Sequence, residues 1–222
     1  MRLWNPKTIC ILGSLALSAA VSATASARAG VVTAVRTVHA RGAGAAASMN
    51  VLTLNDQLGI DNRISAYTGP TGRLVLTAPE GLGDPDGAGL HCSLDNARPG
   101  ESSATQVSCA AGYIGAVVGD LGGGNDLFDA DPDLLVPVGG VIDGQRRPLS
   151  GGPGRDRLVG GAAADLLGGG GGPDSLVGGA GADLLIGGPG ADKLTGGRGR
   201  DFCRGAGGRD TAKACEIVRG VP

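Results

Sequence analysis

The chain has 222 residues, of which 44 are Gly and only five are aromatic (one Trp, two Tyr and two Phe). Large aromatic and aliphatic side chains supply most of the buried area of an enzyme core, so this composition argues against an ordinary globular enzyme. Disorder is also disfavoured, because hydrophobic residues make up 41% and the net charge is only -2, a balance that gives no reason to expect nucleic acid as a partner.

The first segment, residues 1–29, has the form of a secretory signal peptide. Arg2 and Lys7 precede an uncharged apolar run from Ile9 to Val21, and the small residues ATASARA follow. Three overlapping A-x-A patterns permit cleavage, and the cut after Ala29 is favoured. The apolar run is short for a membrane span, and no later stretch approaches 18 apolar residues. We therefore expect a secreted, extracellular protein without integral membrane association.

Two further segments precede the repetitive part of the chain. Residues 30–48 are small and flexible in composition and are predicted to be a flexible extension. Residues 49–141 alternate short apolar stretches with dense turn sequences, which predicts a small β domain. Its strands are predicted at 51–54, 63–67, 73–78, 105–110 and 114–118.

Four cysteines follow the signal segment, an even number that suits an oxidising compartment. Three pairings are possible. The local pairs, Cys92 with Cys109 and Cys203 with Cys215, are favoured because each brackets a turn-rich stretch, and each disulfide would contribute roughly 3 kcal/mol in the loop-entropy model. Zinc is the rival interpretation, but the chain has only two histidines and no C-x-x-C spacing in this part.

From residue 151 the chain divides without gaps into seven nonapeptides: GGPGRDRLV, GGAAADLLG, GGGGPDSLV, GGAGADLLI, GGPGADKLT, GGRGRDFCR and GAGGRDTAK. The eighth place is apolar throughout, and it is Leu in the first five repeats. The sixth place is always Asp, which chance would produce on the order of once in 10⁷ to 10⁸ cases, so the period is real. The sixth-place residues are Asp156, Asp165, Asp174, Asp183, Asp192, Asp201 and Asp210.

This pattern resembles GGxGxDxUx, the nonapeptide of the hemolysin-type calcium-binding (RTX) family. The resemblance implies that each nonapeptide is a six-residue turn plus a short strand, that two repeats make one coil of a parallel β-roll, and that calcium lies between turns stacked along an edge. The fold expected is all-β, with a C-terminal parallel β-roll over 142–213, a small β domain before it, and a C-terminal cap at 214–222. The order of these parts is similar to that of secreted actinobacterial calcium-binding proteins.

The residue types suit the chemistry that the resemblance implies. Calcium takes six to eight oxygens at about 2.3–2.6 Å, which a carboxylate and nearby carbonyls can supply. Glycines at places one, two and four permit positive φ and leave carbonyl oxygens uncovered. Candidate ligands are the seven aspartates and the fourth-place glycines Gly154, Gly172, Gly181, Gly190, Gly199 and Gly208.

The predicted coils set the number of ions. Asp156, Asp174, Asp192 and Asp210 would stack on one edge, and Asp165, Asp183 and Asp201 on the other, in coils about 4.8 Å apart. Carboxylates roughly 5 Å apart repel by about 3 kcal/mol at an effective dielectric of 20, and a cation between them removes that penalty. The gaps allow up to five bridging Ca²⁺ ions, and we expect the repeats to fold on binding them.

Some positions depart from the pattern. Ala163 and Ala206 replace repeat glycines, which makes sites in those turns less certain, and the fifth place carries no acid, which should lower calcium affinity. Residues 142–150 keep Leu149 in phase but have Arg147 where Asp belongs, so they are interpreted as a degenerate first coil without metal. Residues 122–128 (GGGNDLF) resemble a single repeat turn around Asp126, predicted to belong to a separate coil or to the junction, and the sequence leaves open whether this turn binds calcium.

No catalytic motif was found after the signal segment, so the chain is predicted not to be an enzyme. The first functional hypothesis is a secreted protein that binds calcium between stacked turns and folds on binding it. The alternative is adhesion or cell-envelope interaction, with calcium only structural and an unknown surface or matrix partner. An exposed apolar or aromatic patch near Tyr67 or Tyr113 would favour that alternative.

Overall fold

The structure is a computed structural model that describes residues 31–39, 48–56, 59–83, 92–95, 103–110, 112–142 and 145–221. The predicted signal peptide lies outside these residues. In the described part the chain is all-β, as the sequence predicts. Its strands are β1 Val31–His39, β2 Ser48–Asp56, β3 Arg63–Thr68, β4 Leu74–Gly83, β5 Cys92–Asp95, β6 Ser103–Cys109, β7 Ile114–Asp120, β8 Leu127–Ala130, β9 Gly140–Ile142, β10 Gln145–Arg147, β11 Leu149–Pro153, β12 Arg157–Val159, β13 Leu166–Gly171, β14 Ser175–Gly181, β15 Leu184–Pro189, β16 Lys193–Gly199, β17 Phe202–Gly207, β18 Thr211–Lys213 and β19 Ile217–Arg219.

Two stacks of parallel strands run through the molecule. The first stack is β3, β8, β12, β14, β16 and β18, and the second is β2, β7, β11, β13, β15, β17 and β19. Within the repeats, paired residues are 18 apart, as in Leu158 with Leu176 and Leu176 with Leu194. Two nonapeptides therefore make one coil, and the predicted parallel β-roll is confirmed.

The interior of the roll is filled by the eighth-place side chains. Because places six and eight lie on the same face of a strand, the leucines follow the aspartates inward. The stack of leucines meets Phe128 of β8 and then Ile64 of β3, both fully buried in the same apolar cluster. The N-terminal strands thus share one core with the repeats.

The segment predicted as a flexible extension is different in the structure. Residues 31–39 form β1, which pairs antiparallel with β2 along its whole length, from Val31 opposite Asp56 to His39 opposite Ser48. The sequence VVTAVRTV is rich in β-branched residues, which favour strands, and β2 offers a free edge for it. The expectation of a flexible extension over 30–48 is therefore wrong for residues 31–39.

The remaining N-terminal strands add an antiparallel layer. β4 pairs with β3 and β6, and β5 pairs with β6, with Cys92 directly opposite Cys109. A disulfide joins these two cysteines, and a second joins Cys203 to Cys215. Both favoured local pairings are confirmed.

The segment predicted as a degenerate first coil, 142–150, is also different. β9 and β10 form a short antiparallel hairpin in which Arg147 is exposed and opposite Gly140. Leu149 is fully buried at the start of β11, so only its place in the apolar stack agrees with the expectation. Two adjacent arginines and Gln145 are polar, which favours an exposed hairpin over an inward-facing turn.

In the described residues there is no helix long and apolar enough to cross a membrane.

Candidate metal centre

The sixth-place aspartates stack in two rows, one along each edge of the roll. In the first five repeats, the backbone N–H of the aspartate donates to Oδ1 of the aspartate one coil further on, at 2.8–3.0 Å. In the sixth repeat the N–H of Asp201 donates instead to Oε2 of Glu216. All seven side chains are at most 4% exposed. We call the rows the first ladder (Asp156, Asp174, Asp192 and Asp210) and the second ladder (Asp165, Asp183 and Asp201), which are the two edges expected from the sequence.

The second carboxylate oxygen, Oδ2, has no hydrogen-bond partner in most aspartates of the two ladders. Oδ2 is buried and accepts no hydrogen bond in Asp156, Asp174, Asp183, Asp192, Asp201 and Asp210. A buried polar oxygen without a partner is costly, and a buried charge is more so. Carboxylate oxygen is the ligand that hard divalent cations prefer, so these atoms fit calcium.

A glycine stands at the first place of each repeat because the carboxylate lies against its Cα. A Cβ built on Gly169 would overlap Oδ2 of Asp174 and would lie 2.6 Å from the carbonyl oxygen of Gly187, one coil further on. The turn at Gly178 has the same arrangement. The unpartnered oxygen therefore lies near a backbone carbonyl of the next coil, and carbonyls are a second class of calcium ligand. The sequence predicts uncovered carbonyls at the first place, but the candidate ligands chosen from it were the fourth-place glycines.

The expectation that all three repeat glycines serve positive φ is only partly right. Second-place glycines have φ of 103–116° in five repeats, and Ala206 adopts 96° at the same place. First-place glycines do not have positive φ in this structure; they are needed for the close approach of the carboxylate. The physical reason for glycine thus differs between the two neighbouring places.

The fourth-place glycines predicted as ligands also stack in register. A Cβ on Gly172 would overlap the carbonyl oxygen of Gly154, and one on Gly190 would overlap that of Gly172. The carbonyl of each such turn therefore faces the Cα of the next coil, so a side chain there would separate the coils. Their role as calcium ligands stays a prediction.

The second repeat departs from the others where Ala163 replaces the fourth-place glycine. Asp165 accepts a hydrogen bond at Oδ2 from the N–H of Gly161, at 2.8 Å, in its own turn. Oδ1 of the same side chain accepts from the N–H of Val138. Both oxygens of Asp165 are thus partnered by the protein, which makes this turn the poorest candidate in the repeats.

Burial raises the pKa of the ladder carboxyls. Loss of solvation is the main cause, neighbouring carboxylates add to it, and the backbone N–H that each group accepts opposes it. The pKa is raised to about 7 in Asp165 and to about 6 in Asp174 and Asp183. It is also raised in Asp156 and Asp192. The metal-free ladder therefore competes for protons near neutral pH.

Upstream, the structure places Asp126 at the head of the first ladder. Its N–H donates to Oδ1 of Asp156 at 2.8 Å, although 30 residues separate the two instead of 18. The sequence interpretation of a separate coil or junction missed this continuity, because the phase is broken by 12 extra residues. The signal lay in spacing within the turn: Asp126 is followed two places later by Phe128, and Asn62 by Ile64.

The described residues contain no group of three or more His, Cys, Asp or Glu side chains that could hold a metal ion alone. The ladders offer a cation carboxylate oxygens together with the backbone carbonyls that lie beside them. This is the mixed oxygen set that calcium accepts and that zinc, which favours sulfur and nitrogen, does not.

A second feature lies on the outer face of the second stack. A groove of about 440 Å³ is lined by Leu184, Ile186, Phe202 and three arginines: Arg146, Arg204 and Arg219. The guanidinium carbon of Arg219 lies 5.6 Å from the centre of the Phe202 ring. The lining is cationic and apolar and contains no acidic residue.

These features define a class of protein: a parallel β-roll whose stacked turns bury rows of carboxylates. A family model that describes four copies of the RTX calcium-binding nonapeptide repeat matches the chain twice, at residues 149–176 and 177–212. Residues 149–212 are therefore RTX calcium-binding repeats, as the nonapeptide pattern predicts. No curated protein and no solved structure matches the chain.

Proposed function

We propose that this is a secreted calcium-binding protein whose stacked turns bind Ca²⁺ and whose roll becomes stable when the ions are bound. The observation that carries the proposal is the row of buried Oδ2 atoms without a partner in six of the seven repeats. Each of these oxygens has lost water and gained nothing from the protein, while Oδ1 of the same group is already used to hold the coils together.

The energetic argument concerns the metal-free state. Buried like charges at coil spacing repel by about 3 kcal/mol per pair at an effective dielectric of 20. A roll with so much glycine also has a large chain entropy to overcome on folding. Calcium offsets the charge term and so couples binding to folding. With three gaps on the first ladder and two on the second, up to five bridging ions fit the repeats.

The fifth place of the turns sets the expected affinity. It carries Arg155, Arg200 and Arg209, all exposed, and no acidic residue in any repeat. Positive charge beside a cation site weakens it, so we expect dissociation constants of roughly 10⁻⁴ to 10⁻³ M, the range of extracellular calcium modules.

Export is supported by three features of the chain. Residues 1–29 have the composition of a signal peptide, and two disulfides join the four cysteines that follow. Strand β1 begins at Val31, so cleavage after Ala29 would leave the strand intact. We assign no catalytic role, because the sequence lacks recognisable catalytic motifs.

The test is a calcium titration of the chain from residue 30 to its end, followed by circular dichroism and thermal unfolding. We expect calcium in the millimolar range to raise the unfolding temperature progressively, as sites of different affinity fill in turn. Each site stabilises the folded state by about 2.7 kcal/mol when calcium is at a hundred times its dissociation constant. Magnesium is the control, since it demands a smaller octahedral site. A calcium concentration of 10 mM is about ten to a hundred times the expected dissociation constants. Identical unfolding in 10 mM calcium and in chelator would contradict the proposal.

A second candidate function is adhesion to an anionic surface polymer, with calcium only structural. An exposed aromatic patch near Tyr67 or Tyr113 would favour adhesion, but both of these side chains are partly buried. The observation that favours adhesion is instead the groove between Arg146, Phe202 and Arg219, where three guanidinium groups border an apolar floor. Such a lining suits a carboxylated or sulfated chain that also presents apolar faces.

Retention on immobilised heparin tests this second candidate. The variant with Arg146, Arg204 and Arg219 changed to Gln should elute at lower salt than the wild type. The matched control changes Arg155, Arg200 and Arg209 to Gln, which removes the same charge from the turns. Equal losses in both variants would show nonspecific charge attraction and exclude a site in the groove.

A further inference from the structure

The Gly-rich turn before the repeats occupies the position of one more coil on the first edge. The N–H of Gly124 donates to the carbonyl of Pro153, as Gly154 does to Gly171 within the repeats. The N–H of Arg157 donates to the carbonyl of Asp126, which repeats the bond between Ser175 and Asp156. The turn at 121–126 is therefore in register with the ladder, although it lies outside the residues that match the repeat family.

The carboxylate of this turn is in the same state as those of the repeats. Asp126 is 2% exposed, and its Oδ1 accepts from the backbone N–H of Asn62 at 2.8 Å and from Nδ2 of the same residue at 3.0 Å. Its Oδ2 is buried and has no hydrogen-bond partner. The edge that carries the first ladder thus has one further unpartnered carboxylate oxygen upstream of the repeats, on Asp126.

A second, independent group, Asn62, lies one coil earlier and contacts the same carboxylate. Asn62 is 1% exposed, and its Nδ2 lies within hydrogen-bonding distance of Oδ2 of Asp56 and of the carbonyls of Ile60 and Leu121. These contacts fix the amide, and its Oδ1 is left buried without a partner. An amide oxygen next to a carboxylate is a frequent combination of ligands in calcium sites.

We propose that the first edge holds one further calcium site outside the nonapeptide repeats, in which Asp126 supplies the carboxylate oxygen and Asn62 the neutral side-chain oxygen. The site rests on the proposed function, because it uses the same ladder and the same ion. It joins the turn after β2 and the turn after β7 to the first repeat, so calcium stabilises the N-terminal strands as well as the roll.

The second edge shows why the extra site lies on one side only. The residue that continues the second ladder upstream is Val138, which gives its N–H to Oδ1 of Asp165 but has no side-chain oxygen. Asp165 itself has both oxygens partnered. The second edge therefore ends without a cation position, whereas the first edge continues for two more coils.

Calcium stoichiometry of the full chain after signal removal tests the site. Asp126→Asn keeps an oxygen to accept the Asn62 N–H and removes the ligand charge, and we expect it to bind one Ca²⁺ fewer than the wild type by calorimetric titration. Asp129→Asn is the matched control, because Asp129 is exposed on β8 three residues away and its loss changes the net charge equally. Asp174→Asn reports on a site within the repeats.

The outcomes separate the two proposals. If Asp174→Asn loses calcium while Asp126→Asn binds as many ions as the wild type, the further site is excluded and the proposed function stands. If the wild type binds no calcium, both fall. Should Asp126→Asn fail to fold, crystals of the wild type grown in calcium chloride decide: an ion about 2.3–2.6 Å from Asp126 Oδ2 and Asn62 Oδ1 supports the site, and ions in the repeats alone overturn it.

Discussion

At the scale of single residues, each ladder aspartate divides its work between two oxygens. Oδ1 accepts a backbone N–H from the previous coil and so replaces a strand-to-strand hydrogen bond at the point where the turn gives way to the strand. Oδ2 is free for a cation in six of seven repeats. Under the proposed function, one residue type thus serves both the stacking of coils and the binding of metal.

Asp183 can separate these two roles. Asp183→Asn keeps an acceptor for the N–H of Asp165 and removes a buried charge, so without calcium the variant should be as stable as the wild type or more so at pH 7.5. Asp183→Ala loses the acceptor too and should cost about 1–3 kcal/mol, because a buried N–H is left unpaired. Thermal unfolding in chelator checks the stability, and a calcium titration should show weakened binding in both variants. Equal destabilisation by Asn and Ala would refute the division of roles.

First-place glycines give a second prediction at this scale. Gly178→Ala should destabilise the roll strongly, because the new Cβ would overlap Oδ2 of Asp183 and would lie 2.6 Å from the carbonyl oxygen of Gly196. Gly171→Ala is the control, since its Cβ would meet nothing within 4 Å and its φ is not positive. Urea unfolding in calcium measures both. The interpretation fails if the two variants lose similar stability.

The sequence predicted the identity of the ladder residues but not the use of their neighbours. A nine-residue period indicates which side chains repeat, and the family resemblance indicates calcium. It does not show that first-place glycine is needed for close approach and second-place glycine for positive φ, because both requirements select the same residue. Nor did the period include Asp126 and Asn62, which keep the within-turn spacing but not the distance between turns.

At the scale of elements, the two ladders differ in their upstream ends. The first continues through Asp126 to Asn62, while the second stops at the apolar Val138. The pKa of Asp126 and of Asp165 is raised to about 7, mainly by burial. In Asp126 the oxygen that remains free can take a cation, whereas in Asp165 the turn itself supplies the second hydrogen bond.

The raised pKa values predict that, without calcium, the folded protein becomes less stable as the pH rises. The folded ladder binds protons more tightly than the unfolded chain, whose Asp pKa is near 3.8, so this contribution to stability is complete below that pKa. It is lost as the pH rises through about 6 to 7. In chelator the unfolding temperature should therefore fall between pH 5 and pH 8, by about 2–4 °C for each kcal/mol lost.

With saturating calcium the unfolding temperature should instead rise with pH, because protons and calcium compete for the same oxygens. Thermal unfolding at a series of pH values, with calcium and with chelator, measures both slopes. Greater stability at pH 8 than at pH 5 in chelator would show that the ladder carboxylates are not held in a proton-binding environment.

At the scale of the whole molecule, the N-terminal strands and the repeats form one stack. β7 pairs with β11 and β8 with β12, and a single apolar cluster runs from Leu52 to Cys203. Composition changes sharply where the repeats begin, which is why the sequence suggested a separate small β domain. The continuity depends on pairing between residues distant in sequence, and neither turn chemistry nor periodicity carries that information.

This continuity predicts that calcium protects more of the chain than the repeats. Amide hydrogen exchange with and without calcium should show strong protection of β14 to β17 and a parallel gain in β7 and β8, because these strands cannot keep their parallel partners when the roll opens. β5 is the internal control, since its strand partner is β6 of the antiparallel layer. Protection confined to residues 149–213 would mean that the N-terminal strands fold independently, and that the shared core contributes little to cooperativity.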